Sequence, residues 1–171
     1  PLPVGFASEA EYVDIHLEQP VSIENLQRFF GEFPKDMFVI ESQNLSNAKN
    51  IQSLTALVEF ALYEIMLNDD HIEMVNKNLS ELLNQNEILF ERRTKSIDIK
   101  KFIRSFSIEG NILTMLLRLS SSGSGRPEEY LQLAGILQDE VMTLPVVRKE
   151  LLYLNNGEYF DLLGNKKEII I

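Results

Sequence analysis

The chain has no cysteine, which excludes disulfides and thiolate metal sites and fits a reducing compartment. It has only two histidines, His16 and His71, and neither has a second histidine at metal-ligand spacing. Both are expected to be surface or helix-capping residues rather than catalytic bases. No apolar run approaches the ~18 residues that suggest a membrane span, and the N-terminus does not read as a signal peptide. The first residue is not Met, so the start is expected to be a cut or processing boundary. Catalytic motifs are missing too. There is no Gly-x-Ser-x-Gly elbow and no dinucleotide fingerprint. Ser120 to Gly125 (SSSGSG) lacks the lysine and the following helix of a phosphate-binding loop. Asp69, Asp70 and Glu73 are near one another, but a helix start gathers carboxylates without any cation. No catalysis, cofactor, metal or small-molecule substrate is expected.

What is present is enough for one domain with a real core: 171 residues, 44% of them hydrophobic. The formal charge of −10 works against generic attraction to nucleic acid or to an anionic membrane. That charge is uneven. Between residues 87 and 104, Arg92, Arg93, Lys95, Lys100, Lys101 and Arg104 outnumber Glu87, Glu91 and Asp98, a local balance of +3 that leaves the rest near −13. An acidic body with one basic spot suggests a specific docking patch, although a solvated face would look the same.

The chain begins with a leader over residues 1–10. Val13, Ile15 and Leu17 alternate as in a strand that Pro20 ends, and Ser22 caps a short helix closed by Gly31. A turn at 33–36 and a strand at 37–40 complete a strand-helix-strand unit. The spacing of Ile51, Leu54, Val58, Ala61, Leu62 and Ile65 predicts the longest helix, over 47–67, and a second helix covers 71–84.

Residues 87–120 read as strand, basic turn, amphipathic helix, tight turn and apolar strand. Ser96 caps the helix, whose face is Ile99, Phe102, Ile103 and Phe106. Gly110 serves the turn, and Ile112 to Leu117 is apolar enough for a strand covered on both faces. A flexible loop at 120–126 follows, then a helix over 127–141 started by Pro127. Val141 to Leu144 suits a short strand. Val146 to Leu154 is helical or extended, Asn155-Asn156-Gly157 is a turn, 158–163 reads as helix and 168–171 as β-prone.

The resulting fold class is α+β: a single compact domain over 11–171, with a small mixed sheet flanked by several helices. The alternative is an all-α irregular bundle acting as an adaptor for one protein partner, with Ile112 to Leu119 as a buried helix.

The run EILFERRTKSIDIKKFIRSFSI resembles the middle of the PRPK-binding protein family, the small kinase-binding regulatory subunit of the KEOPS/EKC complex. The pattern is met by Glu87 to Phe90, Ile97 to Phe106, Ser107-Ile108 and Ile112 to Leu119, with Val147 to Leu154 resembling the family's late segment. Ser107 stands where the family has glycine, and the stretch 68–86 is longer than expected. The resemblance implies a non-catalytic subunit that docks on an atypical small kinase in a complex making threonylcarbamoyl-adenosine on tRNA. It implies a cytoplasmic or nuclear place, no membrane, and some contact with tRNA. The only candidates for such nucleic-acid contact are Arg92, Arg93, Lys95, Lys100, Lys101 and Arg104, with Lys100, Lys101 and Arg104 forming one exposed stripe of the expected helix. Any amphipathic helix also needs a polar side.

Overall fold

The structure, a computed structural model, describes residues 5–15, 17–19, 21–31, 53–120 and 123–169. It divides into two compact units, one of residues 1–11 with 58–171 and one of residues 12–57.

In the smaller unit, helix α1 (Ile23–Phe30) starts as its sequence suggests, with the Ser22 hydroxyl accepting from Asn25 N–H at 3.3 Å. A second, short helix, α2 (Leu54–Leu57), has its first N–H bound by Asp14 Oδ2 at 2.9 Å. The described residues between 11 and 19 form no strand, contrary to the alternation seen there. The turn at 33–36 and the strand at 37–40 lie outside the described residues.

In the larger unit, β1 (Ala7–Ser8) adds in parallel to a sheet that is otherwise antiparallel. The predicted helix at 47–67 is here, in its described second half, the central strand β2 (Phe60–Met66). Its side chains explain the error. Ala61, Tyr63 and Ile65 enter the main core, while Phe60 and Leu62 belong to a second apolar cluster on the opposite face. A strand covered on both sides carries no alternation to distinguish it from a helix. Helix α3 (Ile72–Leu83) forms where expected and buries Val75 and Leu79.

The basic region folds differently from the expected strand and helix. β3 (Leu89–Arg92) and β4 (Lys95–Asp98) make a two-stranded hairpin, and residues 100–102 form a single 3-10 turn. β5 (Ile103–Glu109) and β6 (Ile112–Ser120) then form a hairpin through Gly110 at φ +59°. The helical-looking spacing has a specific cause. A bulge at Arg104 sets Ile103 opposite Leu117 but Ser105 opposite Leu116. The extra residue lets Ile103 and Phe106, three apart, both pack on the main core.

β7 (Gly123–Ser124) pairs with the end of β6. The predicted 127–141 helix is split into α4 (Pro127–Leu133) and α5 (Gln138–Val141), with Gly135 at φ +106° between them and Leu137 exposed. No strand forms at 141–144. β8 (Val146–Asn155) and β9 (Glu158–Asp161) are joined by Asn156-Gly157, both at positive φ, as a two-residue Asn-Gly hairpin requires. The expected helix at 158–163 is therefore a strand in its first part, and β10 (Lys166–Lys167) pairs back on it.

The sheet order is β10-β9-β8-β2-β6-β5, with β1 beside β8 and β7 beside β6. This is an α+β fold with a mixed sheet, eight-stranded rather than small, and it excludes the all-α bundle. Leu113, Met115 and Leu117 of β6 share the main core with α3, and with Tyr130 and Leu131 of α4. Burying each such side chain contributes about 1.5–3 kcal/mol.

Candidate functional site

The bulge that places Ile103 also re-aims Arg104, and it opens onto a cleft of about 570 Å³. Lys100, Lys101, Arg104 and Arg118 line it, with Glu59, Asp98 and Asn86 among them; Phe60, Ile103, Leu154 and Tyr159 supply its apolar surface. Four cations thus meet two carboxylates in a chain whose overall charge is −10.

Both carboxylates already accept backbone hydrogen bonds. Asp98 Oδ1 takes the N–H groups of Ile88 and Lys100, each at 3.0 Å. The Ile88 bond is the main reason its carboxyl is held below the usual range; slight burial opposes this, while the Lys100 N–H and the Lys101 and Lys100 charges add to it. Glu59 Oε1 accepts from Leu154 N–H at 3.2 Å. Asp98 thereby fixes the 3-10 turn on which Lys100 and Lys101 stand.

The cations are held differently. Lys100 Nζ donates to the Gln85 carbonyl, and Lys101 Nζ lies 5.0 Å from the Phe102 ring centroid. Among the described residues, Arg104 and Arg118 form no ion pair, and both are exposed.

Of the six expected basic contacts, then, Lys100, Lys101 and Arg104 come together here, on a turn and a bulge and not on a helical stripe. The other three do not line the cleft. Arg92 is structural, forking onto buried Glu129 at 2.5 and 2.6 Å and onto the Ser124 carbonyl at 2.5 Å. Hydrogen bonding to Glu129 pushes its guanidinium pKa up, against a smaller effect of burial. Arg93 occupies the β3–β4 turn at φ +57°, and Lys95 is the exposed residue paired with Arg92. Arg118 escaped the sequence reading. β6 is apolar on both faces as far as Leu117, so no alternation marks it: Leu113, Met115 and Leu117 face the main core, and Arg118 follows Leu116 on the opposite side.

The histidine expectations divide. His71 stands before α3 with Nε2 3.4 Å from Glu140 Oε1, and His16 lies outside the described residues. Among the described residues no group of three or more His, Asp or Glu side chains could hold a metal ion. A second hollow, lined by Gly5, Phe6, Glu128 and Leu131 among others, measures about 20 Å³, room for one water at most. No helix among the described residues is long and apolar enough to cross a membrane.

Fold and cleft together define an α+β domain with a cationic groove that runs from β5 and β6 across β2 to β8 and β9, held in an acidic chain. The chain belongs to the family described as "Uncharacterized protein conserved in bacteria (DUF2344)", whose model matches residues 1–127. No curated protein and no solved structure matches it. The family match overturns the resemblance to the PRPK-binding proteins, and with it the atypical-kinase partner, the KEOPS-type complex and the nuclear location. In the structure Glu87 to Leu119 is two hairpins linked by a 3-10 turn, not the strand-helix-strand order on which that resemblance rested.

Proposed function

We propose that this chain is a non-catalytic binding domain whose cleft receives an anionic, phosphate-bearing ligand. The observation that carries this reading is the convergence of Lys100, Lys101, Arg104 and Arg118 on one cleft, where they outnumber two carboxylates that each have one oxygen held by backbone N–H groups. Charge-assisted hydrogen bonds from guanidinium groups to phosphate are among the stronger polar contacts, and arginine offers them in a forked geometry.

The test is calorimetric titration with inorganic pyrophosphate at low and at physiological salt. Binding that weakens as salt rises, and that falls at least about tenfold in Arg104→Gln/Arg118→Gln, is the expected result. Heat that is absent at low salt, or unchanged in the double variant, would remove the cleft as an anion site.

A further inference from the structure

The cleft is larger than a phosphate group requires and is lined in two different ways. Its volume, about 570 Å³, is enough to seat a whole small organic ligand in an open groove. The cations come from the 3-10 turn and from β5 and β6, while Leu154 and Tyr159 come from β8 and β9 across the strand that carries Phe60. Tyr159 is half-buried, and its ring meets Phe60 edge-on, with centroids 5.5 Å apart at 89°. That contact helps to hold the ring, so an aromatic surface is partly ordered before a ligand arrives. Asn86, also on the wall, can both donate and accept a hydrogen bond through its carboxamide.

Phosphate-binding cations, an aromatic wall and an amide together suit a ligand with a charged tail and a flat heterocycle. We infer that the cleft binds a nucleoside phosphate, its phosphates on Arg104, Arg118 and Lys101 and its base against Tyr159 and Leu154. The charge of the chain selects the small ligand over a polymer. With −10 overall, a long strand running beyond the cleft would meet a net repulsive chain, whereas a compact ligand with two or three charges would meet chiefly the cleft, where four cations outnumber Glu59 and Asp98. This inference rests on the anion-binding reading above and adds the base.

The experiment compares ADP, pyrophosphate and a short single-stranded oligonucleotide by calorimetry on the whole chain. ADP is expected to bind roughly ten- to hundredfold more tightly than pyrophosphate, the gain that stacking a base gives. Tyr159→Leu, which keeps apolar contact with Phe60, should erase that gain and leave pyrophosphate affinity as it was; Arg118→Gln should weaken both ligands. Equal affinity for ADP and pyrophosphate in the unsubstituted protein would overturn the nucleoside and leave the anion site standing. Failure of both ligands to bind would overturn both. An oligonucleotide binding more tightly than ADP would overturn the small ligand in favour of a strand. Because the comparison in the unsubstituted chain decides by itself, a Tyr159→Leu variant that failed to fold, judged by circular dichroism, would not rescue the idea.

Discussion

Arg92 of β3 and Glu129 in the first turn of α4 form a two-pronged ion pair, Nε to Oε1 at 2.5 Å and Nη2 to Oε2 at 2.6 Å. Glu129 is 3% exposed and also accepts the Arg126 N–H at 3.1 Å, so it closes the helix start while it holds the hairpin. Removing only the cation would strand a buried carboxylate. Arg92→Met is therefore expected to cost about 3 kcal/mol, and Arg92→Met with Glu129→Leu less than that single change. Urea unfolding of the two singles and the double measures the coupling; costs that simply add, each under about 1 kcal/mol, would show the pair to be worth no more than a surface one.

The glycine-serine run before α4 is more than a spacer. A Cβ at Gly125 would meet the Tyr130 hydroxyl and lie 3.0 Å from both Phe102 Cβ and Tyr130 Cε2. Tyr130 cannot withdraw, since its hydroxyl donates to the Ile99 carbonyl at 2.8 Å inside the core. Gly125→Ala should lower stability by about 1–3 kcal/mol through overpacking. Gly157→Ala is a useful contrast: φ is +82° but the space is open, so only backbone strain of about 1 kcal/mol is expected. Equal thermal shifts in the two variants would mean that the packing around Tyr130 yields.

Stability should fall at both ends of the pH scale, for different reasons. Burial tends to raise the Asp161 carboxyl, but hydrogen bonds from the Asn165 side chain and from the Asn165 and Leu163 N–H groups, helped by Lys167, outweigh it and hold the pKa below the ordinary value. Its contribution is then complete above the unfolded value near ~3.9 and is lost as pH falls through the lower folded one. Asp161→Asn should flatten the acid limb of stability and cost about 1–2 kcal/mol at neutral pH. At the other end, burial raises the hydroxyl pKa of Tyr130 and of Tyr63. Their neutral forms support the fold fully below ~10, and that support is lost as pH rises through the folded values. Tyr130→Phe should shrink the alkaline loss; an unchanged limb would assign it to other groups.

Local chemistry was legible in the sequence where one residue type decides the geometry. Ser22 caps α1, Gly110 turns β5 into β6, and Pro127 begins α4, each as its residue demands. Asn156-Gly157 was recognised as a turn, but the strands it joins were not, because Val146 to Leu154 shows no decisive period. The two largest errors have different causes and one outcome. β2 lies inside the sheet with apolar residues on both faces, and β5 carries a bulge, so each shows the spacing of a helix while being a strand. Three of the four cleft cations followed from the charge count, and Arg118 with the apolar wall needed the strand register. Arg118 and Arg104 line one cleft because β6 pairs with a bulged β5.

That register separates the basic residues into two groups that titration can tell apart. Arg93 and Lys95 sit on and beside the β3–β4 turn, outside the cleft, whereas Lys101, Arg104 and Arg118 line it. Reversing the turn charges with Arg93→Glu/Lys95→Glu alters the chain's net charge by four units but moves no cleft residue. Pyrophosphate affinity should then change by no more than about threefold at physiological salt, since charges beyond a Debye length of roughly 8 Å are screened. Arg104→Glu/Arg118→Glu makes the same change in net charge within the cleft, and binding should vanish. If the two pairs weaken binding equally, the protein responds to total charge and the cleft has no special role. If only the turn pair matters, the anion sits on the β3–β4 hairpin instead.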